Sequence, residues 1–149
     1  MKQVYVYLLD TLADWELGYV LSGLHSDQFF KADHSKLSIK TVSLSKDPLK
    51  TLGGMTILPD GLIDEIILEK DTILLLPGAY TWADPKHLPI IETAKELLNI
   101  GGTVAAICGA TGALANAGLL DNRPHTSNAV EYLEMVCPTY KTSLFRLLS

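Results

Sequence analysis

The sequence predicts an α/β fold, a mainly parallel sheet layered between helices. Strand-like and helix-like segments alternate along the chain, as parallel sheets with helical crossovers require. The strand-like segments are short apolar runs, and Thr72–Leu76 is almost wholly so, as expected of a strand covered on both faces. Glycine pairs and proline-containing turns separate the segments at short intervals.

Val4–Leu9 is rich in β-formers and aromatics and reads as a buried strand. Asp14 offers an N-cap, after which Trp15, Leu17, Val20, Leu21 and Leu24 recur at helical spacing and give one apolar stripe. Leu37–Leu44 alternates as a second strand. Gly53-Gly54 turns the chain into a short strand, Met55–Leu58, which Pro59-Asp60-Gly61 closes. Leu62, Ile63, Ile66 and Ile67 suggest a short helix, and Thr72–Leu76 is the next strand. Pro85–Asn99 is helical, with Asp84 as cap and Pro85 in first position. Gly101-Gly102 ends it, and Thr103–Ile107 is another apolar strand. Cys108–Ala117 follows as a helix of small residues stopped by Gly118. A polar stretch, Asn122 to Asn128, leads to a last short helix from Ala129. The layout is that of a flavodoxin-like three-layer α/β/α sandwich.

A chain of 149 residues suits one domain, 1–149, and can bury about two-thirds of its unfolded surface without staples. No repeat, low-complexity tract or linker divides it. Net charge is −5 with no concentration of Lys and Arg, which argues against a nucleic-acid partner. The opening apolar run is broken by Asp10, too early for a signal-peptide core or a membrane span. With two cysteines, a disulfide framework is poorly supported, and the expected location is the cytoplasm.

In open parallel sheets, sites form at the carboxyl ends of the strands. Three such ends carry suggestive residues: Leu9-Asp10, Leu76-Pro77-Gly78-Ala79 and Ile107-Cys108-Gly109. Cys108 stands between an apolar strand and a small-residue helix, the layout of a nucleophile elbow. That motif places Gly two residues either side of the nucleophile, where this chain has Ala106 and Ala110, also small. A helix N-terminus beneath a cysteine favours its thiolate. A buried, inert Cys108 is the competing reading, and Cys137, beside Pro138, reads as structural.

Gly78 permits close backbone approach, so the N–H groups of Ala79 and Gly109 could form an oxyanion hole, or the segment could be a simple turn. Glu16, one turn into the first helix, could face the same crevice or be an ordinary helix-start acid. His25, His34 and His87 carry little information, whereas His125 lies in the polar loop after the Cys108 helix. No His, Cys, Asp or Glu pair has metal-ligand spacing, so no metal is expected. Gly109-Ala110-Thr111-Gly112 lacks the marks of a P-loop or dinucleotide fingerprint, so no nucleotide cofactor is expected.

Three motifs then combine: Asp14-Trp15-Glu16-Leu17, Leu76-Pro77-Gly78, and Ala105-Ala106-Ile107-Cys108-Gly109 running on into Ala113–Asp121. Through them, and over nearly the whole chain to about Tyr140, the sequence resembles the ThiJ/PfpI family of the class I glutamine amidotransferase-like superfamily. The resemblance implies Cys108 as nucleophile or oxidisable thiol and Glu16 as the acid hydrogen-bonded to it. It also implies Ala79 and Gly109 N–H as oxyanion donors, with Gly78, His125 and Asn128 as possible accessories. Protease-like members have His directly after the Cys, where this chain has Gly109. Others have His where it has Asn128, and members continue past this C-terminus with a further strand and helix.

The expected activity is therefore a cysteine-dependent hydrolase, amidase or glyoxalase/deglycase acting on a small-molecule or peptide carbonyl. The alternative is a redox or stress sensor whose Cys108 is oxidised, and a binding module is a third. A homo-oligomer is expected, because Leu144, Phe145, Leu147 and Leu148 end the chain on apolar side chains.

Overall fold

Five strands form one parallel sheet in the order β5-β2-β1-β6-β7, in a computed structural model that describes residues 1–147. They are β1 (Lys2–Tyr7), β2 (Leu37–Ser43), β5 (Gly61–Leu62), β6 (Ile73–Leu76) and β7 (Thr103–Ala106). A separate antiparallel pair, β3 (Leu49–Lys50) and β4 (Thr56–Ile57), lies between β2 and β5 in the chain. The helices are α1 (Asp14–Ser26), α2 (Leu88–Asn99), α3 (Gly109–Asn116) and α4 (Val130–Val136).

The sheet grows from β1 in both directions, to β2 after α1 and by way of β6 to β7 after α2. Because parallel crossovers are right-handed, opposite directions of travel put α1 and α2 on opposite faces. The order reverses between β1 and β6, so a crevice opens at their carboxyl ends. This is the flavodoxin-like layered sheet that the alternation of segments foretold.

The core lies along β1 and β6. Val4, Val6, Tyr7, Leu74 and Leu76 are fully buried, as their near-continuous apolar runs require. Each such side chain contributes about 1.5–3 kcal/mol through removal from water. α2 packs Ile90, Ile91, Ala94 and Leu97 onto this core, one helical stripe. Its end is a left-handed stop: Gly101 has φ +86°, and Gly102 N–H donates to Leu97 O at 2.9 Å.

Several expectations are corrected. The apolar cluster after Gly61 forms the two-residue strand β5 and a 3₁₀ turn, Ile63–Glu65, instead of an α-helix. Pro85–His87 is likewise a 3₁₀ turn that feeds α2, with Asp84 accepting from Lys86 N–H as its cap. Asp14 does not cap α1. Ala13 holds that position, and the Asp14 carboxylate accepts from Gly53 N–H at 2.6 Å, tying the helix to the β3–β4 turn. Of the α1 stripe only Leu17 is buried, and Trp15 remains 66% exposed. At the C-terminus Leu144 and Phe145 are half-buried and Phe145 packs against the core, while Leu147 is exposed. Leu148 lies outside the described residues. No helix among the described residues is long and apolar enough to cross a membrane.

Candidate functional site

The crevice beside β1 and β6 is shaped by the backbone before any side chain enters it. Cys108 joins β7 to α3 with φ 53° and ψ −121°, a positive-φ conformation that glycine adopts freely and residues with a side chain rarely do. The turn is so tight that Ala110 N–H returns to Ile107 O and Thr111 N–H to Cys108 O. The Thr111 hydroxyl also donates to Cys108 O, at 2.6 Å. This geometry lifts the thiol off the sheet, half-buried, with the positive end of α3 behind it. The small residues of α3 are needed here: Gly109, Ala110, Thr111 and Gly112 are all buried.

Gly78 explains how Cys108 and Glu16 can share the crevice. A Cβ built on Gly78 would lie 2.7 and 2.8 Å from the two Glu16 carboxylate oxygens and 2.8 Å from Cys108 Cβ. Only a residue without a side chain fits between them. The Glu16 carboxylate accepts from Gly78 N–H at 2.6 Å, and no hydrogen bond joins it to the Cys108 thiol. The acid therefore fixes the backbone beside the sulfur.

The direct partner of the thiol is Asn128, whose Nδ2 donates to Sγ at 3.1 Å. His125, the other loop candidate, faces elsewhere. Its Nε2 pairs with the Tyr140 hydroxyl at 2.6 Å and its Nδ1 with Arg123 O at 2.8 Å. It lines a separate cavity against β7 that shares no residue with the Cys108 crevice.

Ala79 and Gly109 meet across the crevice: a Cβ on Gly109 would lie 3.0 Å from Ala79 O and 3.5 Å from Ala79 N. Neither N–H has a hydrogen-bond acceptor among the described residues. Two adjacent donors left unpaired beside a thiol can receive a carbonyl oxygen as it becomes negative. They border a cavity of about 230 Å³ shared with Cys108, Glu16, Gly78 and Asn128.

Five further residues line that cavity and were not signalled by any motif: Thr11, Ala13, Leu52, Tyr80 and Tyr132. Burial, with a smaller contribution from charge on Cys108, pushes the Tyr132 phenol above its ordinary range, so it stays a neutral hydroxyl beside the thiol. Tyr132 stands on α4, which periodicity could find; its approach to Cys108 depends on the close packing of α4 over Gly112. No cluster of three or more potential metal ligands occurs among the described residues.

Known proteins carry the same arrangement of chain. The protein named "Uncharacterized protease YoaZ" of Bacillus subtilis is 44% identical over 144 residues, 97% of this chain and 69% of that protein. A second from the same organism, "Uncharacterized protease YdeA", is 35% identical over 133 residues, which are 87% of this chain and 61% of that protein. The crystal structure of a thiJ/pfpI family protein from Bacillus anthracis superposes with a TM-score of 0.93 at 47% identity. That match covers 98% of this chain and 69% of the other. The chain thus spans 69% of the length of YoaZ and of the Bacillus anthracis protein and 61% of YdeA, and the DJ-1/PfpI family pattern itself runs through residues 2–143. From β1 through the Cys108 turn to the last short helical turn, this chain belongs to the DJ-1/PfpI family.

Proposed function

We propose that the chain is a cysteine-dependent hydrolase of carbonyl substrates, with Cys108 as its nucleophile. The observation that supports this best is that Ala79 and Gly109, whose N–H groups have no acceptor among the described residues, line the same cavity as a thiol carried on a positive-φ turn. Cys108 Sγ adds to the carbonyl carbon, and the carbonyl electron pair moves onto oxygen, where the two N–H groups receive it. Collapse of that adduct expels the alcohol or amine, which takes up the thiol proton, and leaves a thioester on Sγ. Water then cleaves the thioester and restores the thiol. Asn128 orients the sulfur by donating to it, but an amide nitrogen cannot accept a proton. Glu16 keeps the oxyanion segment in place through Gly78 N–H. Peptides and activated esters fit this sequence, and the protease names of the two Bacillus relatives support including peptides. A small dicarbonyl has no group to expel, so its hemithioacetal on Cys108 would instead pass a proton from carbon to the neighbouring carbonyl, giving a hydroxyacyl thioester that water cleaves.

The test is turnover of a p-nitrophenyl ester, a peptide amide and methylglyoxal by the wild type and Cys108→Ser. A loss of about 10³-fold or more in kcat/KM on at least one of them supports the proposal. Equal rates for the two proteins on all three would end it.

One observation favours a second reading, a peroxide-sensing thiol: the side chain bonded to Sγ is an amide, with no basic nitrogen at the sulfur. In that reading one peroxide converts the thiol to a sulfenic acid with release of water, and a second gives the sulfinate, whose oxygens the Ala79 and Gly109 N–H groups would hold. Mass spectrometry after peroxide would show two added oxygens on Cys108 and none on Cys137.

A further inference from the structure

We infer that Thr11 is a positioning residue: its hydroxyl, held out by a left-handed turn, clasps the 78–81 segment and leaves the Ala79 N–H free to face Cys108.

Thr11 has φ 66°, and with Asp27 and Cys108 it is one of three non-glycine residues with positive φ among the described residues. For a β-branched residue that conformation is an outlier, and it persists only where the surroundings fix it. Here they do. Thr11 N–H donates to Lys50 O at 2.8 Å, and the next residue's carbonyl, Leu12 O, accepts from Leu52 N–H at 2.9 Å, so the β3–β4 hairpin holds the turn from one side. From the other side Tyr80 N–H donates to Thr11 Oγ1 at 2.9 Å. The flanking contacts lie in register: Ala13 N–H to Gly78 O at 2.9 Å, the Thr81 hydroxyl to Asp10 O at 2.9 Å, and a bridge between Leu12 and Ala79.

The consequence falls on alternate amides. In an extended segment successive N–H groups point to opposite sides. Gly78 N–H goes to Glu16 and Tyr80 N–H to Thr11, both on the α1 side of the segment. Ala79 N–H falls on the other side, where a Cβ on Gly109 would lie 3.5 Å from Ala79 N, and it finds no acceptor among the described residues. Glu16 holds one side of Ala79 and Thr11 the other. Glycine would suit the backbone at position 11 better, but it has no hydroxyl to receive Tyr80.

The catalytic part of this inference rests on the hydrolase reading; the clasp itself does not. Thr11→Val keeps the shape and β-branching while removing the acceptor, and Thr11→Ser keeps the acceptor. Three measurements separate the cases: amide exchange at Tyr80 by NMR, kcat and KM on a p-nitrophenyl ester, and alkylation of Cys108 by iodoacetamide, which needs no oxyanion donor. In Thr11→Val, Tyr80 exchange should rise about tenfold and kcat fall about tenfold, with KM and alkylation within about twofold of wild type. Thr11→Ser should stay close to wild type in all three. Unchanged Tyr80 exchange in Thr11→Val would overturn the inference. So would a Ser variant as impaired as the Val variant, or alkylation that falls in step with kcat. If wild type shows no Cys108-dependent turnover while Tyr80 exchange responds as expected, the clasp stands and the hydrolase reading fails.

Discussion

The turn that carries Cys108 and the helix end that carries Cys137 hold the same side chain under opposite constraints. Cys108 is half-buried on a positive-φ backbone, beside two unpaired N–H groups and a cavity. Cys137 is 1% exposed, follows α4 with an ordinary extended backbone, and its N–H closes the helix on Leu133 O at 2.9 Å. Its sulfur lies 3.6 Å from the Thr139 hydroxyl and otherwise belongs to the apolar core. The residue type is the same at both places. What separates a site from a packing position is backbone geometry and unsatisfied donors, neither of which the letter C carries.

The sharpest way to break this contrast is differential alkylation of the folded protein. Cys108 should react with iodoacetamide about 10²-fold faster than Cys137, because one sulfur borders a cavity and the other needs an opening of the core. In denaturant the rates should converge. A native ratio near one would erase the distinction.

Gly78→Ala is the next largest effect. Its Cβ would stand within 2.8 Å of both Glu16 oxygens and of Cys108 Cβ, so a stability loss of about 1–3 kcal/mol is expected in urea unfolding. Cys108 labelling should change with it. Unaltered labelling and stability would show that the crevice tolerates a side chain where the geometry leaves no room.

Cys137→Ala sharpens the other half of the comparison. Removing a fully buried sulfur should cost about 1 kcal/mol and leave Cys108 labelling unaffected.

The smallest effect is a pH slope from His87, a buried histidine packed against Tyr7 and Trp82. It is 2% exposed, paired with the Tyr7 hydroxyl at 2.7 Å and with the Thr81 hydroxyl at 3.3 Å. Burial, with a smaller push from Lys86, holds its pKa below the ordinary 6.5, against opposing pulls from Asp84 and Asp10. Well above pH 6.5 His87 is neutral whether folded or not. Below it the unfolded chain takes up a proton that the native state refuses, so stability should fall as pH drops from 6.5. Denaturant midpoints between pH 5 and 8 should show this slope, and His87→Gln should flatten it.

The sheet was readable because its strands are nearly continuous apolar runs punctuated by glycine, a pattern that periodicity and turn chemistry both register. The segment at Leu62–Ile67 misled because Leu-Ile-x-x-Ile-Ile spacing suits a helix, while pairing of Gly61 and Leu62 with Val42 and Ser43 decides the outcome. α1 misled in a related way. Its stripe has helical period, but period alone does not say that Trp15 will face solvent at the crevice mouth. Within the site, Cys108, Glu16, Gly78, Ala79, Gly109 and Asn128 were nameable from motif positions and do gather at one crevice. His125 was close in sequence and is turned away by Tyr140. Thr11 gave no signal, because a strained dihedral leaves no mark in composition.

The central place of β1 has a bearing on how the chain is made. β1 leaves the ribosome well before β6, yet it pairs with Ile73–Leu75 of β6 on one side as well as with β2 on the other. Until β6 emerges, its β6-facing edge carries unpaired backbone groups on one of the most apolar stretches of the chain. Synthesis therefore holds a sticky half-sheet in waiting, and nascent chains stalled short of β6 are the species most prone to aggregate.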